Sequence, residues 1–171
     1  MKESIIQRCI RMLLQDWKKD QTRPTYHYAF AIKKKKIIAV GKNQPEYPSN
    51  KAFALAKTYG IQKWFKYPYL HAESDLITKV DEIDRHLEIL SLRINRHGEF
   101  RLAKPCANCQ KMLDQLSINK ITWSCNSPDR QLNTIILQSY HKISVDVHDL
   151  SRNPLTSDKL PFYLSSQKNR L

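Results

Sequence analysis

The sequence holds no apolar run near the roughly 18 residues that a membrane-spanning helix needs, so no membrane partner is expected. Met1-Lys2-Glu3-Ser4 leads into an amphipathic stretch and not into the apolar core of a secretory signal. A cytoplasmic, unprocessed chain is the expectation. Cysteine is scarce. The four present in 171 residues, Cys9, Cys106, Cys109 and Cys125, are too few for a disulfide scaffold. There are no internal repeats, no low-complexity segments and no convincing linker. One domain over residues 1–171 is expected, with 1–20 an N-terminal helix and 151–171 an extended tail. Hydrophobic residues make up 41 % of the chain, enough for a core, which excludes wholesale disorder.

Negative charge is the other shortage. Sixteen acidic residues face 29 basic ones, leaving +13. Such an excess concerns partners and solubility, not fold, and it favours a polyanionic partner or a phosphorylated substrate. It is uneven: residues 21–70 hold ten basic residues and one acidic, whereas 71–99 hold four and seven. The run Lys33-Lys34-Lys35-Lys36 reads as a solvated hairpin tip.

Helical spacing of Ile6, Cys9, Ile10, Leu13, Leu14 and Trp17 predicts a first helix, with Ser4 as its N-cap. Its Ile6/Ile10/Leu14/Trp17 face could cover the chain's own sheet or a second copy in a homo-oligomer. Tyr26–Ile32 and Ile37–Val40 predict a β-hairpin around the lysines. Residues 44–70 form a long connection, with a helix expected at Lys51–Thr58. Its tyrosines, phenylalanines and tryptophan alternate with lysines, a composition more often functional than passive. A helix is predicted from Leu70, with Ala72, Leu76, Val80 and Ile83 on one face. Leu87–Ile94 reads as a buried strand. Pro105 is expected to open another helix, and Ile121–Cys125 to form a strand. Residues 131–138 fit helix or strand, and the β-branched run Thr134–Leu137 favours a strand paired on Ile121–Cys125. Pro161–Leu164 is expected to anchor the tail. Cys9, Cys125 and Trp123 read as core residues. His27, His86, His97, His141 and His148 lack ligand spacing and read as structural or exposed.

The chemistry concentrates in His71-Ala72-Glu73 and Pro105-Cys106-Ala107-Asn108-Cys109. Cys106 and Cys109 share one face at a helix start, where free amides and the helix dipole favour thiolate. His71 adds a nitrogen. Two thiolates and one imidazole make three ligands for a zinc ion, one per chain, and leave the fourth position for water, as catalytic sites do. Two thiolates cancel the ion's formal charge, so the water needs a base. Glu73, two residues past His71, projects away from the ligand side of its helix and is the candidate proton shuttle.

His-x-Glu followed by Pro-Cys-x-x-Cys is the signature of zinc nucleobase deaminases. On these residues the chain resembles the cytidine/deoxycytidylate deaminase superfamily, most of all its small phage-encoded members. The resemblance runs from about Tyr26 to Cys125. It implies an α/β fold, a three-layer α/β/α sandwich with a central mixed sheet of about five strands and both zinc-bearing helices on one side. It implies that Asn43 contacts the sugar or base and that the Ala72 backbone N–H helps hold the base. Tyr69 and Lys104 are further candidate substrate contacts. If the chain is phage-encoded, the compartment is the host cytoplasm.

The implied reaction is hydrolytic deamination of cytosine to uracil in a free nucleoside or nucleotide such as dCMP, by zinc-bound hydroxide with Glu73 relaying protons. Cytosine or adenine within single-stranded DNA or RNA is the alternative, since the basic, aromatic 44–70 connection suits a polymer. A non-catalytic zinc module that binds nucleic acid is the reading of another class. An antiparallel strand after residue 125 would match free-cytidine deaminases. A helix there would place the chain nearer to the dCMP, tRNA-adenosine and DNA-editing relatives.

Overall fold

The computed structural model describes residues 4–44, 48–84, 86–118, 120–126, 134–138 and 142–146. Helix α1, Ile5–Lys19, begins with a capping box. The Ser4 hydroxyl accepts from the Gln7 backbone N–H, and the Gln7 side chain accepts from the Ser4 N–H. Strands β1 (Thr25–Lys33) and β2 (Lys36–Lys42) form the predicted hairpin. Its two turn residues, Lys34 and Lys35, have φ of 51° and 60°, the left-handed pair that matches strand twist. Both are exposed, as is Lys36, so these three lysines form a solvated tip, whereas Lys33 is half-buried and pairs with Glu82 and Asp84.

Two helices occupy the 44–70 connection, α2 (Asn50–Tyr59) and α3 (Gln62–Lys66). Then come α4 (Ala72–Ile77), β3 (Glu88–Asn95), β4 (Phe100–Arg101), α5 (Ala107–Gln115), β5 (Lys120–Ser124), β6 (Thr134–Gln138) and β7 (Lys142–Asp146). The strands make one mixed sheet in the order β2-β1-β3-β5-β6-β7, with β4 also paired to β3. Among the described strands only β3 and β5 pair in parallel; β6 lies antiparallel to β5.

Side chains alternate across the sheet, as strand geometry requires. Tyr26, Tyr28, Phe30, Leu90, Leu92 and Ile94 pack against Cys9, Ile10 and Leu13 of α1. Ile6, Leu14 and Trp17 join that cluster, so the α1 stripe covers the chain's own sheet. On the other face Ala29, Ala31, Ile89 and Ile121 pack against Trp64, Leu76, Cys109 and Met112 from α3, α4 and α5. The architecture is a three-layer α/β/α sandwich, as expected, with α4 and α5 on the same side.

The differences are local. Among the described residues the five expected strands are present as β1, β2, β3, β5 and β6, and two more join them: two-residue β4, too short to leave a period, and β7, whose alternation in Lys142-Ile143-Ser144-Val145-Asp146 is a strand signal that the sequence reading did not use. The helix expected from Leu70 starts at Ala72 with His71 as N-cap, and ends at Ile77. Val80 and Ile83 pack against the core from beyond its end, so their helical spacing is coincidental. Pro105 precedes the α5 N-cap, Cys106, instead of opening the helix. Cys9 is buried and Cys125 half-buried. The expected tail at 151–171 with its Pro161–Leu164 anchor, His141 and His148 lie outside the described residues.

Helix α4 sits against β2 because Gly41 lacks a side chain. A Cβ there would lie 2.1 Å from the Ala72 carbonyl oxygen and 2.4 Å from the Leu76 nitrogen. These are backbone atoms and cannot rotate away. Gly41→Ala is expected to cost about 3 kcal/mol, at the upper end of overpacking penalties. Chemical denaturation of the variant checks this; an unchanged midpoint would refute it.

Candidate active site

His71 and Cys106 are the N-caps of α4 and α5, and both have extended backbone, with ψ of 162° and 164°. Neither side chain caps its own helix. Each is turned toward the other instead. His71 Nδ1 lies 3.4 Å from Cys106 Sγ and 3.4 Å from Cys109 Sγ. The donor atoms of the three residues all lie within 4.8 Å of one another. A tetrahedral ion with bonds of about 2.0–2.3 Å needs neighbouring donors roughly 3.3–3.8 Å apart. The donor set therefore fits a single metal ion.

The charges agree. The Cys106 thiol is lowered to about 4 by the hydrogen bond from Cys109, which with the one from His71 outweighs burial. Cys109 shares that hydrogen bond, is buried, and is pushed well above the usual thiol range. His71 is raised, chiefly by its hydrogen bond to Cys106. The cluster thus already holds one thiolate, and a divalent cation would stabilise the second.

Glu73 lies on the first turn of α4 and is 1 % exposed. Its Oε1 accepts from the Ser91 hydroxyl at 3.0 Å. His27 Nε2 is 3.4 Å from the same oxygen and 2.8 Å from Ser91 Oγ. Burial alone would raise the carboxyl, but the His27 and Ser91 hydrogen bonds outweigh it and hold the group below its ordinary value. Glu73 is therefore an ionised and almost fully buried base.

Asp75, two residues on, is also buried. It accepts from the Lys42 backbone N–H at 2.8 Å, from the Gln44 amide at 3.2 Å and from the Lys79 ammonium. It clamps α4 to the end of β2 on both sides of Asn43. The Asn43 N–H donates to the His27 carbonyl at 3.0 Å, which fixes Asn43 against β1.

A cavity of about 240 Å³ opens on this group, lined by His71, Glu73, Cys106, His27, Arg93 and Lys104. Asn43 reaches it too, so two of the expected substrate contacts, Asn43 and Lys104, share a space with the metal cluster and Glu73. Tyr69 lines an adjoining cavity of about 260 Å³ that shares His71 and Cys106. Ala72 is fully buried and lines neither. Trp123, expected in the core, is partly buried against it, with the Lys104 ammonium 5.7 Å from its ring centroid.

Sequence reasoning missed His27, Ser91, Asp75 and Arg93. His27 read as structural or exposed, yet it shares strand parity with Ala29 and Ala31 and so faces the helices. A serine inside the apolar run Ile89-Leu90-Ser91-Leu92 was a second available signal, because buried hydroxyls need partners. Among the described residues, no helix is long and apolar enough to cross a membrane. Compared with models of known families, with curated proteins and with solved structures, the chain matches none.

Proposed function

We propose that this chain is a zinc-dependent hydrolytic deaminase of cytosine in a free nucleoside or nucleotide. The observation that carries the reading is an ionised, buried Glu73 sharing one cavity with a three-donor His71/Cys106/Cys109 cluster. A closed structural zinc site uses four protein ligands; three donors beside a cavity leave a position for a reactant. A structural site also has no use for a buried carboxylate beside it.

Zinc bound there supplies Lewis acidity that activates a water for attack on the base. The protein's own part is proton handling. Ser91 and His27 both contact Oε1 of Glu73, which leaves Oε2 for proton transfer in this reading. Glu73 takes one proton of the attacking water and passes it to a ring nitrogen of the base, then takes the second proton from the same oxygen and delivers it to the amine, which leaves as ammonia. Asn43 holds the sugar or base, and the Asp75 clamp fixes its distance from Glu73. On the resemblance, the antiparallel β5–β6 pairing supports a free nucleoside, whereas the cations Arg93 and Lys104 that line the cavity support a phosphate-bearing one.

One observation favours a base within a single strand. Phe65 and Tyr67 are 45 % and 49 % exposed, and the Lys66 ammonium lies 5.5 Å from the Tyr67 ring centroid. Tyr67 lines the second cavity, where a flanking base would stack. The test is ammonia release by the zinc-loaded protein on cytidine, dCMP, adenosine and single-stranded oligonucleotides, at low and high salt. Turnover of dCMP with a shallow salt response is expected. Activity on none of them would overturn the enzyme reading. Steep salt dependence on oligonucleotides alone would favour the polymer.

Ser91→Ala is expected to lower kcat about tenfold with zinc content unchanged, since a hydrogen bond to a charged group is worth about 1.5–3 kcal/mol. Metal analysis beside steady-state kinetics separates this from a loss of the metal site.

A further inference from the structure

Arg93 lies on β3 two residues beyond Ser91, on the same face, in register with His27 of β1. It lines the cavity that holds Glu73 and the metal cluster. Its side-chain Nε is buried and meets no protein acceptor. Among the described residues it has no ion-pair partner either. The nearby carboxylates are engaged elsewhere: Glu99 binds Arg101 and Asn95, and Glu73 is held by Ser91 and His27. Lys104, also on the cavity, rests over Trp123 with no carboxylate partner among the described residues. Two cations thus line a cavity whose one carboxylate, among the described lining residues, is Glu73. Part-burying a guanidinium without a counter-ion is unfavourable unless a ligand supplies the anion.

We infer that Arg93, assisted by Lys104, is the receptor for a phosphate of the substrate, so the cavity takes a nucleotide phosphate ester in preference to a bare nucleoside. The inference rests on the deaminase reading for the base that accompanies the phosphate. The planar guanidinium matches phosphate oxygens bidentately, and the Lys104 ammonium adds a mobile point charge. The phosphate is either a terminal monoester or an internal phosphodiester; the chemistry recognised is the same.

Binding, not turnover, tests it. The zinc-loaded protein is titrated calorimetrically with deoxycytidine, dCMP and a trinucleotide with a central cytosine. At least one phosphate ester should bind ten- to a hundredfold tighter than the nucleoside, the range of a charge-assisted hydrogen bond. Arg93→Met should erase most of that preference and leave nucleoside binding within about twofold, while Arg93→Lys keeps part of it. A tighter dCMP assigns the monoester, and a tighter trinucleotide assigns the phosphodiester. Because Arg93→Met removes an unpaired charge, it should melt no lower than wild type. Equal binding of all three ligands, binding of none, or a preference that survives in Arg93→Met overturns the inference. Phosphate-selective binding without ammonia release would overturn the deaminase reading alone. Equal binding with ammonia release would overturn this inference alone.

Discussion

Glu73→Gln is expected to lower ammonia release by about three orders of magnitude and to leave zinc near one equivalent per chain. General acid–base catalysis contributes about 10²–10⁴ in rate, and Glu73 is asked to act at more than one proton transfer. Glutamine keeps the carboxylate's size and can still accept from Ser91 through its amide oxygen, so the site keeps its shape. It cannot carry a proton. The His71/Cys106/Cys109 donor set is untouched by the change. Activity is measured as ammonia from dCMP, metal by elemental analysis, and fold by thermal melting. Wild-type turnover in this variant would mean that Glu73 is structural. Zinc loss would mean that Glu73 helps hold the metal, and the assignment of roles would fail.

Cys106→Ser is expected to remove the metal altogether. Its Sγ is the thiolate already formed in the cluster, held at about 4, and a serine hydroxyl offers no comparable charge. After dialysis, zinc should fall from about one equivalent to less than a tenth, and activity with it. Stability should fall too. A ligand present at about a thousand times its Kd adds about 4 kcal/mol to the folded state, and the variant forfeits that share. A chelator should impose the same loss on the wild type, reversibly on adding zinc. Retention of full zinc in both Cys106→Ser and His71→Ala would place the metal elsewhere.

The metal cluster and Glu73 were legible because their signal is local. Each pair is defined by residue type at a spacing of two or three, and each sits at a helix start that the chain announces. The sandwich was legible for a similar reason: the spacing in Ile6–Trp17 and the β-branched runs show which faces are apolar. Other features depend on strand register, which no short window records. His27 and Ser91 meet only because β1 pairs antiparallel with β3 and brings Ala29 opposite Ser91. Arg93 shares that dependence. Helix α3 was missed because five residues carry too little periodicity. The shifted helix starts have a chemical reason. As N-caps, His71 and Cys106 keep extended backbone, and their side chains point across to each other instead of along their helices.

The Asp75 clamp bears on which substrates the cavity can accommodate. Asn43 and Glu73 belong to segments locked by one carboxylate and pressed together at Gly41 without room for another carbon. That wall acts as a fixed gauge: the distance from Asn43 to Glu73, the proposed sugar contact and the proposed proton carrier, is set at folding. A larger or differently shaped substrate would have to be accommodated elsewhere, by Lys104 before Cys106 or by Tyr67 and Tyr69, which follow α3 and line the adjoining cavity. Selection for a new substrate would therefore change those residues first and leave the gauge alone.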